Sequence, residues 1–319
     1  MGISKETALL LKGGGALWVV LYHLNQLMPL PFIGHFIEIN GMMHVGLFFF
    51  LSGYGLTKSY NYNPEKFIRN FWIRRVLYFL LPFWVINGVY TVVWCDKWQS
   101  FIQLFGYIVG YKYINPHSWF IGALFILYLI FFSVAWLRKY KKFKMEYVFL
   151  VLFFFYLCWG GMNGQKLFLS SVDFYIGMLI AANEKNIFDL VKKYKVKVLA
   201  FFSSVFILSC LLMVERLYIY IFLHRPLFVF NSVVFVLLIY CLFISVGFLR
   251  ELKLRFLLWI GAISYELYLL HNIFLQYAND NYKLLSYLGI YFFSILSAFI
   301  ISTIIIFVQE KLALRFIRK

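Results

Sequence analysis

The segment Lys12-Gly-Gly-Gly-Ala-Leu-Trp-Val-Val-Leu-Tyr-His23 carries a lysine and a histidine inside the first apolar stretch of the chain. In a helix, eleven positions at about 100° each bring both side chains to one face, about 16 Å apart along the axis. Ionisable groups inside a membrane are costly, and they commonly mark a substrate path or a reaction centre. Alternatively, Lys12 extends to the membrane interface and His23 caps the opposite end of the helix. This segment taken alone is compatible with both interpretations.

The composition is that of a membrane protein. Of the 319 residues, 63% are hydrophobic and 13% are charged, and the mean hydropathy is +0.82. Long apolar runs predict transmembrane helices and exclude a soluble domain, whereas a transmembrane barrel would show short alternating segments. The net charge of +17 does not require nucleic acid, because lysine and arginine gather on the cytoplasmic side of membrane proteins. The cysteines show no metal-binding spacing, so we expect neither nucleic acid nor a metal.

We predict an all-α, polytopic membrane protein with about ten transmembrane helices in one bundle, forming a single domain over residues 1–319. The spans run approximately over 8–28, 41–60, 76–95, 118–137, 146–161, 166–183, 198–214, 227–249, 256–277 and 285–308. Basic residues concentrate in the loops after the second, fourth, sixth, eighth and tenth spans. By the positive-inside rule, both termini are cytoplasmic.

This topology sets the position of the polar residues across the membrane. The first span runs outward, so Lys12 belongs to its cytoplasmic half and His23 to its outer half. The segment 98–112 is apolar but too short to cross, which predicts a re-entrant or interfacial helix on the outer side. The glycine triplet beside Lys12 weakens the helix by about 1 kcal/mol per residue relative to alanine, and it allows either a ligand or another helix to come close.

Polar residues of the second and third spans each allow two interpretations. Ser52, in Ser52-Gly53-Tyr54-Gly55, either opens a polar notch or bonds back to its own helix backbone. Arg69, Arg74 and Arg75 crowd the cytoplasmic end of the third span. Positive-inside orientation alone explains these arginines. The functional alternative is a clamp for the phosphates of a cytosolic cofactor.

The fourth and sixth spans supply further candidates. In Pro116-His117-Ser118-Trp119-Phe120, the aromatic residues fit an interfacial belt, while His117 alternatively lines an outer acceptor site. Asp173 is an isolated acid in apolar surroundings, where acidic residues are usually functional or paired.

The ninth span carries a polar stripe. Ser264, Tyr268 and His271 lie at i, i+4 and i+7, which puts them on one helical face. This pattern favours the lining of a site, or alternatively a stripe of interhelical hydrogen bonds. Glu266 points elsewhere and is a second isolated acid.

Taken together, these motifs resemble those of the membrane acyltransferase-3 family of sugar and polysaccharide O-acyltransferases. The family's first helix has a basic residue, ten intervening residues and a histidine, which Lys12 and His23 match with lysine where arginine is more usual. The other matching segments, in chain order, are Phe48-Phe49-Phe50-Leu51-Ser52-Gly53-Tyr54, the basic segment Arg74-Arg75 that ends at Pro82, Ser118-Trp119-Phe120, and Ile263-Ser264-Tyr265-Glu266-Leu267-Tyr268-Leu269-Leu270-His271. The resemblance covers nearly the whole chain.

The resemblance implies transfer of an acyl group, usually acetyl from cytosolic acetyl-CoA, to a hydroxyl of a cell-surface or lipid-linked carbohydrate. The general base or acyl relay is then His23, since imidazole is the usual base near neutral pH. The candidate catalytic residues on the acceptor side are Tyr268 and His271. The candidates for holding the phosphates of CoA are Lys12, Arg69, Arg74 and Arg75. The candidates for contacting the substrate are Ser52, His117, Trp119, Ser264 and Glu266.

The expected partners are acyl-CoA, a carbohydrate acceptor and the lipid bilayer, with a homo-oligomer left open. The expected location is the cell membrane, as a multi-pass protein of the bacterial cytoplasmic membrane. The alternative function is a transporter or flippase of an anionic or lipid-linked saccharide, which would use the same charged positions as a pathway. Transporters commonly have broken helices in both halves, and here only the first half has a glycine-disrupted span, so acyl transfer is favoured.

Overall fold

Helices make up nearly all of the chain that the structure describes. The structure is a computed structural model, and it describes residues 2–31, 33–95, 100–110, 112–162, 170–214, 221–251, 254–280 and 287–316. Within these ranges there is no strand. Among the described residues, seven helical segments are long and apolar enough to cross a membrane, one of them being Pro64–Val93 with its π-helical turn. The number is eight if Arg255–Ala262 and Ser264–Tyr277 form one broken span. The all-α, polytopic prediction is confirmed, while the count of ten spans and the cytoplasmic termini stay predictions.

The helices follow one another along the chain with short connections. The first eight are α1 (Lys5–Leu27), α2 (Gly34–Tyr62), α3 (Pro64–Arg75), α4 (Leu81–Val93), α5 (Phe101–Val109), α6 (Trp119–Leu137), α7 (Met145–Met162) and α8 (Val172–Ala182). The remainder are α9 (Glu184–Lys193), α10 (Lys195–Val214), α11 (Ile221–Ser245), α12 (Gly247–Glu251), α13 (Arg255–Ala262), α14 (Ser264–Asp280) and α15 (Tyr287–Phe316). A π-helical turn, Val76–Leu80, joins α3 to α4, and a 3₁₀ turn, Pro116–Ser118, precedes α6.

Each predicted span contains a helix, but two of these helices are short. The apolar parts of α7 and α8, Met145–Gly160 and Val172–Ala182, fall below the length of the seven full spans. Residues 166–169 of the predicted sixth span and 285–286 of the predicted tenth lie outside the described residues. The segment 98–112 contains the short helix α5, whose predicted place at the outer interface stays a prediction.

Contacts between Cα atoms divide the chain into two units. The first unit comprises Met1–Tyr62 and Ser133–Ala262, and the second comprises Asn63–Phe132 and Ile263–Lys319. The first unit therefore contains α1, α2 and α7 to α13, with the last residues of α6. The second unit contains α3, α4, α5, most of α6, α14 and α15.

In the first unit, glycines let helix backbones touch. A Cβ built on Gly13 of α1 would overlap the Leu257 carbonyl oxygen of α13, and one built on Gly261 would overlap the carbonyl oxygen of Leu9. This reciprocal approach is how small residues join helices in membranes, where lipid provides no hydrophobic drive for association. Helix α1 consequently runs unbroken through its glycine triplet. Gly13 therefore serves helix packing, while a Cβ on Gly14 would meet no atom within 4 Å.

Helices α2 and α8 approach each other in the same way. A Cβ on Gly53 would overlap the Phe174 carbonyl oxygen, and one on Gly177 would overlap that of Phe50. At Gly46, which precedes this crossing on α2, polar side chains of two other helices meet. Ser232 of α11 donates to Asp173 Oδ2 of α8 at 2.5 Å, and both side chains lie against Gly46. Asp173 is only 1% exposed. The acid expected to be functional or paired is thus hydrogen-bonded to a hydroxyl at the meeting point of three helices.

In the second unit, the π-helical turn accommodates Pro82. The Leu81 N–H bonds the Val76 carbonyl, five residues back. In that register the next donor would be the N–H of residue 82, which proline lacks. The Leu77 carbonyl instead accepts from Gln309 Nε2 of α15 at 2.8 Å, and the Phe79 carbonyl accepts from the Tyr265 hydroxyl of α14 at 3.0 Å. Side chains of two other helices thus complete the backbone bonding of this turn.

We expect Gly53→Ala to lower the thermal stability of the protein, because its methyl group would push the Phe174 backbone away from α2. The matched control is Gly55→Ala, two residues along the same helix, where a Cβ would meet no atom within 4 Å. Alanine there should be neutral or stabilising by up to about 1 kcal/mol. Thermal unfolding in detergent, followed by circular dichroism, compares the two variants. Equal unfolding temperatures would contradict the close approach of α2 and α8.

We expect Gln309→Leu to destabilise the protein by about 1–3 kcal/mol, because it leaves the buried Leu77 carbonyl without its donor. Thr303→Val on the same helix is the control, since Thr303 is exposed and donates to the Phe299 carbonyl of its own helix. Urea or thermal unfolding in detergent measures both. If the two variants unfold alike, the side chain of Gln309 does not complete the π-helical turn.

Candidate functional site

A buried polar cluster forms in the second unit where the 3₁₀ turn before α6 meets the middle of α14. Asn115 ends the preceding loop in an extended conformation, which the following proline favours. Its Oδ1 accepts the backbone N–H of His117 at 3.0 Å and so caps the turn. Capping by asparagine fixes where the chain enters α6. His117 is thereby held at the start of that helix.

Helix α14 presents Tyr268 and His271 to this turn. The Tyr268 hydroxyl donates to the His117 carbonyl at 2.9 Å. The imidazole of His271 stacks on that of His117, with ring centroids 5.5 Å apart and 27° between the planes. The Tyr268 and His271 rings lie 5.9 Å apart. Two imidazoles and a phenol, predicted separately from two segments, are therefore neighbours.

Two asparagines and a tyrosine complete the cluster. Asn272 Oδ1 lies 3.2 Å from His117 Nε2, and Asn272 Nδ2 donates to Asn115 Oδ1 at 3.2 Å. The Leu269 carbonyl of α14 accepts from Asn115 Nδ2 at 3.1 Å and from the Tyr90 hydroxyl of α4 at 2.7 Å. All three polar side chains are at most 4% exposed. The cluster is thus a continuous hydrogen-bonded network in a buried setting.

The remaining candidates of these segments lie around the network. Trp119 is half-buried at the start of α6, and the neighbouring Phe120 packs edge-to-face on Tyr268 at 5.3 Å. Ser264 and Glu266 are buried in the first turn of α14. Helical periodicity places Ser264 one turn before Tyr268 and Glu266 on another face. Their predicted contacts with a substrate stay predictions.

In the first unit, Lys12 and His23 are both half-buried on α1. His23 Nδ1 lies 3.0 Å from Gln26 Oε1, and its ring packs edge-to-face on Tyr22 at 4.9 Å. Because α1 is unbroken between the two residues, their separation along the axis remains about 16 Å. A single reacting carbonyl cannot be within reach of both.

The other predicted residues of the second and third spans are placed as follows. Ser52 donates back to the Phe48 carbonyl of its own helix at 2.8 Å, which was one of its two interpretations. Arg69 and Arg74 are exposed on α3. The guanidinium of Arg75 is half-buried over the rings of Tyr128 and Phe71, at 4.7 and 5.3 Å. The three arginines thus present two solvated charges and one that stacks on aromatic rings.

A second polar cluster, which the sequence did not predict, lies in the first unit near the end of α2. Glu184 at the start of α9 accepts from the hydroxyl of Tyr54 and from Lys58 Nζ at 2.5 Å. The Tyr54 hydroxyl in turn accepts the backbone N–H of Ile3 at 3.0 Å. In the sequence, Lys58 is one of the basic residues at the end of the second predicted span that set the membrane topology. The structure gives it an acidic partner and ties the segment before α1 to α2.

Sequence reasoning also missed Asn115, Asn272 and Tyr90. Asn115 directly precedes the Pro116-His117 motif and Asn272 directly follows His271, so adjacency to a predicted histidine was the available signal. Asn272 also lies within a predicted membrane span, where an asparagine is costly unless it is hydrogen-bonded, which was a second signal for that residue. Tyr90 had no signal, because its partner carbonyl lies far away in sequence.

The comparisons with known proteins identify the family. Searches of curated proteins and of solved structures each gave no match. A family model described as an acyltransferase domain matches residues 10–307, which include every candidate residue named above. The motifs in α1, α2, α6 and α14 that resembled this family are thus part of one continuous match. The chain belongs to the acyltransferase-3 family and is an acyltransferase that spans the membrane several times.

Proposed function

We propose that this acyltransferase transfers acetyl from acetyl-CoA to a hydroxyl of a cell-surface or lipid-linked carbohydrate. The observation that carries the proposal is the cluster formed by half-buried His117 with the buried side chains of Tyr268 and His271. Imidazole and phenol groups held in place by hydrogen bonds are suited to bind and orient the hydroxyls of a carbohydrate. Family membership favours acyl transfer over the alternative of transport.

The donor side of the proposal rests on basic residues. CoA carries a pyrophosphate and a 3′-phosphate, so its binding requires cations. Lys12 is half-buried within α1 and offers a point charge, while Arg69 and Arg74 are exposed and can form bidentate contacts. Arg75 is already stacked on two rings, which makes it the weakest donor ligand of the four predicted cations.

The chemical step transfers the acetyl group from sulfur to oxygen. The acceptor hydroxyl loses its proton to an imidazole as its oxygen attacks the thioester carbonyl. The tetrahedral intermediate then expels CoA thiolate, which takes up the proton. In this scheme His23 is the general base, or relays the acyl group between donor and acceptor, and Tyr268 and His271 act on the acceptor. Lys12 lies in the other half of the same helix, where it holds the donor without touching the reacting carbonyl.

The proposed partners are acyl-CoA, the carbohydrate acceptor and the surrounding lipid. We place the protein in the cytoplasmic membrane of a bacterium, where cytosolic acetyl-CoA and an outward-facing glycan are on opposite sides. A helix with its cation in one half and its imidazole in the other suits a donor and an acceptor that come from different sides.

We expect His23→Gln to reduce acetyl transfer by about 100- to 10,000-fold, the usual contribution of a general base. The variant should still insert and unfold normally, because His23 is only half-buried. The measurement is transfer of labelled acetyl from acetyl-CoA in proteoliposomes, with mass spectrometry of cell-surface glycans in parallel. His44→Gln is the control, since this half-buried histidine of the same unit stacks on Trp18 at 4.9 Å. Undiminished acetylation by the His23 variant would refute its role.

We expect Lys12→Gln to raise the KM for acetyl-CoA while changing kcat little, because a residue that holds the donor acts in ground state and transition state alike. Lys12→Arg should keep the low KM or reduce it further, since a guanidinium can grip phosphate with two bonds. Lys5→Gln removes an exposed charge from the same helix and serves as the control. A loss confined to kcat in the Lys12 variant would contradict this assignment.

A further inference from the structure

The hydrogen bonds around Asn115 have a direction that backbone groups dictate. Asparagine amide oxygens and nitrogens are alike in shape, so their assignment depends on their partners. The His117 backbone N–H can only donate, and the Leu269 carbonyl can only accept. Asn115 lies between them, with Oδ1 at 3.0 Å from the former and Nδ2 at 3.1 Å from the latter. Reversing this amide would set donor against donor and acceptor against acceptor, so only one orientation fits.

The orientation of Asn115 then fixes that of Asn272. The group of Asn272 that faces Asn115 Oδ1, at 3.2 Å, must be a donor, hence Nδ2. The remaining amide atom, Oδ1, lies 3.2 Å from His117 Nε2. A carbonyl oxygen can only accept, so Nε2 of His117 must carry a proton. In the neutral ring the basic nitrogen is consequently Nδ1.

In His271, whose ring stacks on that of His117, the other ring nitrogen carries the proton. Its Nδ1 lies 3.3 Å from the Leu267 carbonyl oxygen, which can only accept. His271 therefore carries its proton on Nδ1. The two imidazoles, 5.5 Å apart, thus have different tautomers. In the described part of the second unit, two further titratable side chains bond to this network. They are Tyr268, which donates to the His117 carbonyl, and Tyr90, which donates to the Leu269 carbonyl and lies within hydrogen-bond reach of Asn272.

We infer that Asn272, oriented by Asn115, is a positioning residue that holds His117 in its Nε2–H form, which makes Nδ1 the basic nitrogen of the ring and presents it as a hydrogen-bond acceptor to a hydroxyl of the carbohydrate other than the one that His23 deprotonates. This inference rests on the proposed function for the identity of the acceptor, but the assignment of the proton does not. Asn272 acts through His117 and touches no reacting atom. A histidine preset in one tautomer accepts from a hydroxyl at no cost in reorganisation when the substrate arrives.

The first test reads the proton directly, without activity. Protein labelled with ¹⁵N-histidine is studied by NMR in detergent or lipid, and the His117 signal is identified by its absence in His117→Gln. We expect the Nε2–H form at neutral pH, the opposite tautomer for His271, and a mixture of forms for His117 in Asn272→Leu. An Nδ1–H signal for His117 in the unaltered protein would overturn the inference.

The second test uses the pH profile of acyl transfer. In Asn272→Asp the carboxylate still accepts from Nε2–H, but its charge favours the imidazolium ion. We therefore expect activity to fall at a higher pH on the acid side than in the unaltered protein. Asn272→Leu and Asn115→Ser should lower kcat/KM by about 10- to 100-fold, as loss of a partner that orients a functional histidine does.

Gln309→Leu is the matched control, because Gln309, like Asn115, is a buried amide of the second unit that donates to a backbone carbonyl. It should lower stability and leave the pH profile in place. An Asn272→Asp profile that coincides with that of the control would refute the positioning role. If the unaltered protein transfers no acyl group although NMR shows the Nε2–H form, the proposed function fails while the proton assignment holds.

Discussion

The second unit depends on the rule that every backbone carbonyl buried in a membrane needs a donor within the protein. Pro82 lacks the N–H that would bond the Leu77 carbonyl, so Gln309 donates to this carbonyl instead, and the Phe79 carbonyl of the same turn accepts from Tyr265. The Leu269 carbonyl of α14 likewise accepts from Tyr90 and Asn115. Each of these bonds joins two different segments of the chain. Satisfying polar backbone thereby determines which helices of this unit meet.

The first unit obeys a different constraint, which is how closely helices can approach. Its crossings of α1 with α13 and of α2 with α8 bring backbone against backbone at glycines. Such contacts maximise packing where lipid competes equally for apolar side chains. They also explain why the glycine triplet leaves α1 unbroken. Packing against a neighbour compensates the low helical propensity of Gly13, so Lys12 and His23 remain on one continuous helix.

Much of this architecture was predictable from sequence, and the exceptions have physical causes. Apolar runs of about twenty residues predict helices whatever their neighbours are, so each predicted span contains one. The motifs carrying His117, Tyr268 and His271 were correctly chosen as candidates, but their proximity was not predictable, because it depends on the tertiary bond from Tyr268 to the His117 carbonyl. Asn115 and Asn272 were not predicted, because the role of each depends on the hydrogen bond between them, which joins distant parts of the chain. Ser52 illustrates the converse, as local bonding satisfies it.

Around His117, the groups that orient the imidazole are the same groups that hold the helices of the second unit together. The chain of bonds begins at the Leu269 carbonyl and at the His117 N–H, which are backbone groups inside regular structure and cannot rotate. Orientation passes from them through Asn115 and Asn272 to a ring nitrogen. A site built this way is set before any ligand binds, so the energy of binding need not be spent on ordering it. Since carbonyls buried in hydrocarbon must be bonded in any case, a membrane enzyme gains this preorganisation from the same contacts that its fold requires.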